Sequence, residues 1–458
     1  MPPLLALIIT LGFIGYLFNR DSRQGVGVSG ALWLPTIWVV IIGSRFLSQW
    51  LDTFGLSVGG GSLEDGSPID AVVFFGLIAG GVNILRKRRV SLRSLIQQNQ
   101  WLTIFLAYCF VAIVWSDFPF VAFKRWIKIL GHPIMALIIM TERDVSQAVT
   151  TVMRRSAYIL MPLSVIFIKY LPEFGRGFDG WTGAATNTGV TLNKNILGAD
   201  CLVLGVVFIW SLYRLWNNPK SASRRNEIVI NVTFLIMILW LLWMADSKTS
   251  LMSLIAGVVT MAILSLRIVN KRNFGTYVLV ALLIASLAEL AFGIYAGTLQ
   301  LLGRNATLTD RTDIWREVLN IDINPVLGAG FESFWLGERY KKLGEIFPFQ
   351  PNQAHNGYLE TYLNLGWIGV FILIGLILST YRKARREILR DFRFGQLRIG
   401  FLFAFLLYNY TEAALKALHV VWFTFYIIAL DCRRSRGGSV SMDSMRDVHP
   451  RGSSVAVG

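Results

Sequence analysis

The chain contains many apolar runs of about 16 to 22 residues, close to the length that a helix needs to cross the roughly 30 Å hydrocarbon core of a bilayer. Thirteen runs can be read, at 3–18, 31–49, 69–85, 101–116, 126–141, 156–171, 196–213, 228–245, 249–266, 275–297, 357–380, 397–413 and 418–430. The first is short and the last two are barely separated, so the sequence predicts 11 to 13 transmembrane helices. We therefore expect an all-α, polytopic integral membrane protein. A soluble enzyme, a secreted disulfide scaffold and a disordered chain are excluded.

The net charge of +16 is explained by topology. Alternate loops and the C-terminal segment hold 29 of the 44 Lys and Arg residues but only 9 of the 28 Asp and Glu residues. An excess of basic residues on alternate loops marks the cytoplasmic side of a membrane protein. We therefore expect these loops and the C-terminus to be cytoplasmic, and nucleic acid is not an expected partner.

Four regions follow from this reading. Residues 1–297 form an N-terminal transmembrane bundle of about ten spans, and 298–356 form a large loop on the side away from the cytoplasm. Residues 357–432 hold the C-terminal spans, and 433–458 form an Arg-, Ser- and Gly-rich cytoplasmic tail that is predicted to be disordered. A 59-residue loop without a role is uncommon in a compact protein, so 298–356 is where a site is expected. No Cys/His metal spacing and no phosphate-binding loop occur, so neither a metal nor a cofactor is predicted.

Within this loop, Thr309 or Asp310 can cap a helix that carries Arg311 and, one turn later on the same face, Trp315. Asn324-Pro325 is predicted to end that helix, and Gly328-Ala329-Gly330 to form a tight connection.

His355 is one of four histidines and lies at the mouth of a span on the outward side. An imidazole is the natural proton acceptor near neutral pH, so His355 is the candidate general base. The alternative is a structural residue at the start of a helix, bonded to Asn356 or to a backbone group.

Three further cations are candidates for binding an anion. Arg311 and Arg316 can match phosphate oxygens with their forked guanidinium groups, or can make local pairs on a surface helix. Lys248 lies in a short polar segment between two apolar runs, where a charge is often functional. The alternative is that Lys248 only pairs with Asp246.

Lys124 and Arg125 lie on the outward side against the overall charge trend, where they could meet lipid phosphates, and Lys194 stands between two asparagines. Trp315 and Tyr358 could pack on sugar rings or act as interfacial anchors.

Taken together, these motifs resemble the O-antigen ligase/polymerase superfamily of Wzy and WaaL type. The resemblance rests on Arg311-Thr-Asp-Ile-Trp315, Pro325-Val-Leu-Gly328-Ala-Gly330, His355-Asn356-Gly357-Tyr358 and Leu365-Gly366-Trp367-Ile368-Gly369. Asp117-Phe-Pro-Phe, the Lys124–Lys128 segment and Asn193-Lys194-Asn195 are similar to exopolysaccharide polymerases of ExoQ type. Many ligases have an Arg where this chain has Lys248, which keeps the charge but loses bidentate geometry.

The resemblance implies a GT-C-like helical fold and a metal-independent membrane glycosyltransferase of the bacterial inner membrane. Its substrates would be glycans carried on undecaprenyl pyrophosphate, joined on the periplasmic side, with other export or chain-length proteins as further partners. Arg311, Lys248, Arg316, Lys194, Lys124 and Arg125 are then expected to meet the pyrophosphate, and His355 to take the proton of the acceptor hydroxyl.

Two alternatives remain open on the sequence. The first is an O-antigen ligase, which would transfer the finished glycan to lipid A core. The second is a polysaccharide or lipid transporter, which would account for the transmembrane spans but would carry out no glycosyl transfer.

Overall fold

The computed structural model describes residues 2–23, 27–56, 66–179, 183–216, 221–275, 277, 311–347 and 349–432. Most of these residues are helical and only six lie in strands, which confirms the all-α prediction. The helices are α1 (Pro3–Arg23), α2 (Trp33–Ile42), α3 (Leu47–Thr53), α4 (Pro68–Lys87), α5 (Leu92–Gln98), α6 (Gln100–Val111), α7 (Pro119–Met140), α8 (Val145–Tyr170), α9 (Pro172–Gly175), α10 (Lys194–Trp216), α11 (Ala222–Ala245), α12 (Lys248–Ser265), α13 (Arg311–Asn320), α14 (Gly337–Ile346), α15 (Gly357–Ile388), α16 (Phe392–Thr411) and α17 (Val420–Ala429). The antiparallel strands β1 (Arg176–Phe178) and β2 (Ala185–Asn187) form one small sheet, and 3-10 turns occupy Gly30–Leu32 and Lys271–Asn273.

Among the described residues, seven helices are long and apolar enough to cross a bilayer. An eighth span results if Gly30–Ile42 and Leu47–Thr53, which meet at 51°, are counted as one. The chain is thus a multi-pass membrane protein. The count of 11 to 13 spans stays a prediction, because only residues 275 and 277 of the run at 275–297 are described. The runs at 101–116 and 418–430 form helices of only 12 and 10 residues.

A buried ion network ties three helices together at the end of the bundle that carries the basic loops. Arg154 and Arg155 of α8 both pair with Asp21 of α1, the latter at 2.8 Å. Arg154 also pairs at 3.0 Å with Glu227 of α11, which in turn binds Arg20 of α1. Asp21, Arg154 and Glu227 each have two charged partners, so the desolvation cost of burial is offset and the helix ends are held in one arrangement.

The described part of the large loop, 311–347 and 349–356, folds around a small apolar core at the opposite end. The buried residues of this core come from α13, α14, their connections and the first turns of α15. They are Ile314, Val318, Ile321, Ala329, Phe334, Leu343, Ala354 and Leu363. The predicted connection at Gly328–Gly330 is seated on α15, where Ala329 N and Gly330 N donate to the carbonyls of Leu363 and Asn364 at 2.9 and 3.0 Å. This core fixes the loop on the membrane helices.

The predicted helix at Arg311 is present as α13, but it ends at Asn320, earlier than the predicted stop at Asn324. Asn324 instead shapes the next turn, since its side-chain oxygen accepts from Val326 N at 2.9 Å and from Leu327 N at 3.1 Å. The proposed capping residues 309 and 310 lie outside the described residues.

Candidate functional site

Helix ends surround a cavity of about 390 Å³ at the end of the bundle that carries the large loop. Its lining includes four side chains that the sequence singled out, Lys194, Lys248, Arg311 and His355, together with Glu412. These residues lie far apart in the chain and are brought together by the packing of α10, α12, α13, α15 and α16.

Three of these helices begin at the cavity. Lys194 and Lys248 are the first residues of α10 and α12, and α15 begins two residues after His355. Arg311 is the first described residue of α13. The N-terminus of a helix carries unpaired N–H groups and a partial positive charge, and is therefore a ready site for anions. Two cations at such ends, together with Arg311, make this cavity suited to a doubly or triply charged anion.

The segment that carries His355 is fixed from both sides. The carbonyl of Ala354 accepts from Trp315 Nε1 at 2.7 Å, and the side-chain oxygen of Asn356 caps α15 by accepting from Tyr358 N and Leu359 N, each at 3.0 Å. His355 itself has a φ of +50°, a left-handed conformation that costs energy for a non-glycine residue. The imidazole is thus held in place by the surrounding bonds rather than by local preference.

Glu412 connects Arg311 to His355. One carboxylate oxygen accepts from Arg311 Nη2 at 2.7 Å, and the other lies 3.1 Å from His355 Nδ1. Arg311 also donates to the carbonyl of Thr411, the last residue of α16. Burial alone would raise the pKa of Glu412, but the hydrogen bond and charge of His355, together with Arg311, outweigh it and lower the pKa to about 2. The carboxylate is therefore ionised, and it favours the tautomer of His355 in which Nδ1 carries the proton.

The two lysines of the cavity are also ion-paired. Lys194 Nζ lies 3.0 Å from Asp179, and Lys248 Nζ lies 3.0 Å from Asp246. The second pair is the contact that the sequence offered as the alternative role of Lys248, and both of its residues line the cavity. Since the Lys248 pair is largely exposed, its strength is small and an incoming anion can replace Asp246.

Several predicted residues do not line this cavity. Arg316 points outward with a side chain that is 71% exposed and pairs with Asp313 at 3.5 Å. Lys124 lies 4.9 Å from the centre of the Phe120 ring, and Arg125 donates to a main-chain carbonyl. The sequence grouped them with the site by their charge and, for Lys124 and Arg125, by the resemblance of their segment to ExoQ-type polymerases, but none of them lines the cavity.

The two predicted aromatic residues serve as supports in this structure. Tyr358 is partly buried and its hydroxyl donates to the carbonyl of Leu406 at 2.9 Å, which joins α15 to α16. Trp315 holds the carbonyl of Ala354, as described above. Neither lines the cavity.

Sequence reasoning missed Glu412. It stands at the end of the apolar run at 397–413, and an ionisable residue within such a run is a functional candidate by default. That rule was the available signal, since nothing in the local spacing connects position 412 with position 355.

Another cavity, of about 550 Å³, lies at the end of the bundle that carries the basic loops. Its lining includes Arg143, Asp144, Glu387, Arg390, Asp391 and Arg398. No histidine lines it, whereas His355 lines the cavity of about 390 Å³ at the other end. That cavity therefore combines anion-binding groups with an imidazole that can accept a proton.

Part of the chain that carries this cavity matches a known protein family. Residues 232–374 match the family model described as O-Antigen ligase, a range that includes Lys248, Arg311 and His355 but not Lys194 or Glu412.

Two curated relatives are each 23% identical to this chain. The exopolysaccharide production protein ExoQ of Rhizobium meliloti aligns over 316 residues, 64% of this chain and 67% of that protein. A putative polysaccharide ligase of Rickettsia felis aligns over 332 residues, 69% of this chain and 75% of that protein. These matches confirm the resemblance to the O-antigen ligase/polymerase superfamily.

Proposed function

We propose that this chain polymerises oligosaccharide repeat units carried on undecaprenyl pyrophosphate into an exopolysaccharide or O-antigen-like glycan, at the periplasmic face of the bacterial inner membrane. The comparisons support a function of O-antigen ligase or exopolysaccharide polymerase type. The observation that carries the finer proposal is the cavity in which three cations, two of them at helix N-termini, line the same space as a histidine held by a buried carboxylate.

The proposed donor is a sugar whose anomeric carbon is bonded to a lipid pyrophosphate. A site on the outer side of the membrane has no supply of nucleotide sugars, so the donor has to bring its own leaving group. Lys194 and Lys248 would exchange their acidic partners for the pyrophosphate oxygens. Arg311 has five N–H donors, of which Glu412 and the carbonyl of Thr411 occupy only part, so it can hold both Glu412 and a phosphate oxygen.

In the proposed reaction, a hydroxyl oxygen of the acceptor glycan attacks the anomeric carbon as the bond from that carbon to the pyrophosphate oxygen breaks. The hydroxyl proton passes to Nε2 of His355, and the electron pair of the broken bond leaves on undecaprenyl pyrophosphate. Positioned cations stabilise the charge that develops there, and a positioned base contributes on the order of 10²–10⁴-fold. Glu412 stabilises the imidazolium that forms.

Transfer of the finished glycan to lipid A core is the second candidate. It is favoured by the description of the matching family and by the name of the Rickettsia felis relative. Donor and leaving group are the same in the two reactions, so the cavity serves either one and the acceptor distinguishes them.

The test is the size profile of lipid-linked and surface glycans in a deletion strain that expresses wild type, His355→Ala or the matched control His449→Ala. We expect wild type and His449→Ala to restore long chains, and His355→Ala to leave single repeats at equal protein level. Long lipid-linked chains that accumulate in the deletion strain would instead indicate a ligase. Long chains retained inside the cell would indicate a transporter.

Turnover by the purified protein gives the second test. Loss of a general base is expected to lower turnover by at least about 100-fold. If His355→Ala retains more than about a tenth of wild-type turnover, the assignment of His355 as the base is contradicted.

A further inference from the structure

A second, smaller cavity of about 190 Å³ adjoins the site. The two cavities share Asn193, Asn195, Gln353 and Glu412 in their linings. Gln353 stands at the boundary, since its Oε1 accepts from Lys416 Nζ at 2.8 Å and its Nε2 lies 3.4 Å from His355 Nδ1. An occupant of the smaller cavity therefore lies next to the His355–Glu412 pair.

The walls of the smaller cavity combine apolar surfaces with hydrogen-bonding groups. Ring and aliphatic surfaces come from Ile42, Phe46, Ile196, Leu418 and Val420. Amide, hydroxyl and ammonium groups come from Asn193, Asn195, Gln353, Tyr408 and Lys416. This combination suits a ring with two apolar faces and a polar edge better than it suits a hydrocarbon.

The position of the cavity also disfavours a lipid chain. Ile42, Tyr408 and Val420 are 4%, 1% and 3% exposed, so these walls lie inside the bundle and not on its outer surface. The volume of about 190 Å³ lies below the roughly 300–1,000 Å³ of pockets that hold drug-sized ligands. The cavity accordingly holds one ring rather than a chain of rings.

We propose that the smaller cavity is the subsite for the terminal sugar ring of the acceptor glycan. This inference rests on the proposed function and specifies where its second substrate binds. The cations of the larger cavity hold the donor's pyrophosphate, and the acceptor ring approaches from the other side of Glu412 and Gln353. One hydroxyl of that ring then lies within reach of His355.

The first experiment measures protection of single cysteines in the purified full-length protein. Ala417→Cys lies in the smaller cavity and Asn352→Cys in the larger one. Both are made in a Cys432→Ser background, because Cys109 and Cys201 are buried. The rate of labelling by a thiol reagent is measured with a lipid-free repeat-unit oligosaccharide or with undecaprenyl pyrophosphate.

We expect saturating oligosaccharide to slow labelling of Ala417→Cys by about tenfold or more, as occupancy above nine-tenths requires, while undecaprenyl pyrophosphate protects only Asn352→Cys. Labelling of Ala417→Cys that is unchanged by oligosaccharide, or that is slowed by the lipid pyrophosphate, overturns the inference. Absence of protection of Asn352→Cys by the lipid pyrophosphate contradicts the proposed function instead, so the two failures are distinguishable.

A kinetic variant gives an independent measurement. Ala417→Phe fills the smaller cavity and should raise the KM for the acceptor about tenfold, a loss of one decade in affinity, with the donor KM unchanged. An unchanged acceptor KM, or a rise in the donor KM, overturns the assignment of this cavity to the acceptor.

Discussion

Replacement of Glu412 by glutamine tests the central feature of the site. The change keeps the shape of the side chain and removes its charge. It affects two contacts, the 3.1 Å contact with His355 Nδ1 and the 2.7 Å bond from Arg311. The first is expected to act on the reaction and the second on stability, so the two effects can be measured separately.

The expected loss of activity follows from the contact with His355. A hydrogen bond to a charged group contributes about 1.5–3 kcal/mol. Since each 1.36 kcal/mol corresponds to a factor of ten in rate, kcat/KM should fall about 10- to 160-fold. The fall should appear mainly in kcat, because the imidazolium that Glu412 stabilises forms only during the reaction.

The expected loss of stability follows from Arg311, whose side chain is only 10% exposed. Removal of one partner of a buried ion pair costs about 3–5 kcal/mol, because the other charge stays buried without compensation. The double variant Arg311→Gln/Glu412→Gln removes both charges and should regain part of this stability without regaining activity. Glu338→Gln, on a side chain that is 87% exposed, is the matched control and should behave like wild type.

The assay compares turnover of lipid-linked repeat units by the purified variants with their thermal unfolding in detergent. Glu412→Gln within twofold of wild-type turnover would refute the role of Glu412 in orienting His355. The lowered pKa of Glu412 also predicts how the stability of the protein depends on pH. The stability contributed by this carboxylate is present above its ordinary pKa of 4.5 and is lost as the pH falls towards 2, so an acid limb of activity above pH 5 has another origin.

Two further substitutions test the support of the site and its anion binding. Gly357→Ala places a Cβ 2.3 Å from Asn409 Oδ1 and should destabilise the protein by about 1–3 kcal/mol in thermal unfolding. Gly12→Ala is the control, because a Cβ there meets nothing within 4 Å. Equal melting temperatures of the two variants would contradict this packing. Lys248→Ala should raise the KM for the lipid pyrophosphate donor about tenfold, the usual scale for one charge-assisted bond. Arg316→Ala is the control for loss of charge, and an equal rise in KM for both variants would show that only overall charge matters.

The sequence predicted the parts of the site that are encoded locally. Arg311 and His355 belong to short motifs with turn and cap residues around them, and Lys248 stands out as a charge between apolar runs. α13 also shows the limit of such reasoning. Arg311 and Trp315 are one turn apart and share a face, whereas Arg316 is five residues from Arg311 and is turned towards solvent.

Glu412 could not be placed from the sequence because its contacts are set by packing. It is separated from His355 by 57 residues and from Arg311 by 101, and it meets both only because α16 ends beside the start of α15. The spans show the same limit. Apolar run length predicts that a segment is buried in the bilayer or the bundle, but it does not reveal the bend of 51° after α2 or the shortness of α6 and α17.

The pairing of each cavity cation with an acid has a consequence for the catalytic cycle. With Asp179, Asp246 and Glu412 opposite Lys194, Lys248 and Arg311, the resting cavity is close to electroneutral, and stray anions gain little by entering it. In the proposed reaction, a departing lipid pyrophosphate leaves no unpaired positive charge behind, because Asp179 and Asp246 return to their lysines and Glu412 has stayed with Arg311. Under the proposed function, these counterions would limit inhibition by the charged lipid product that is released after each bond is formed.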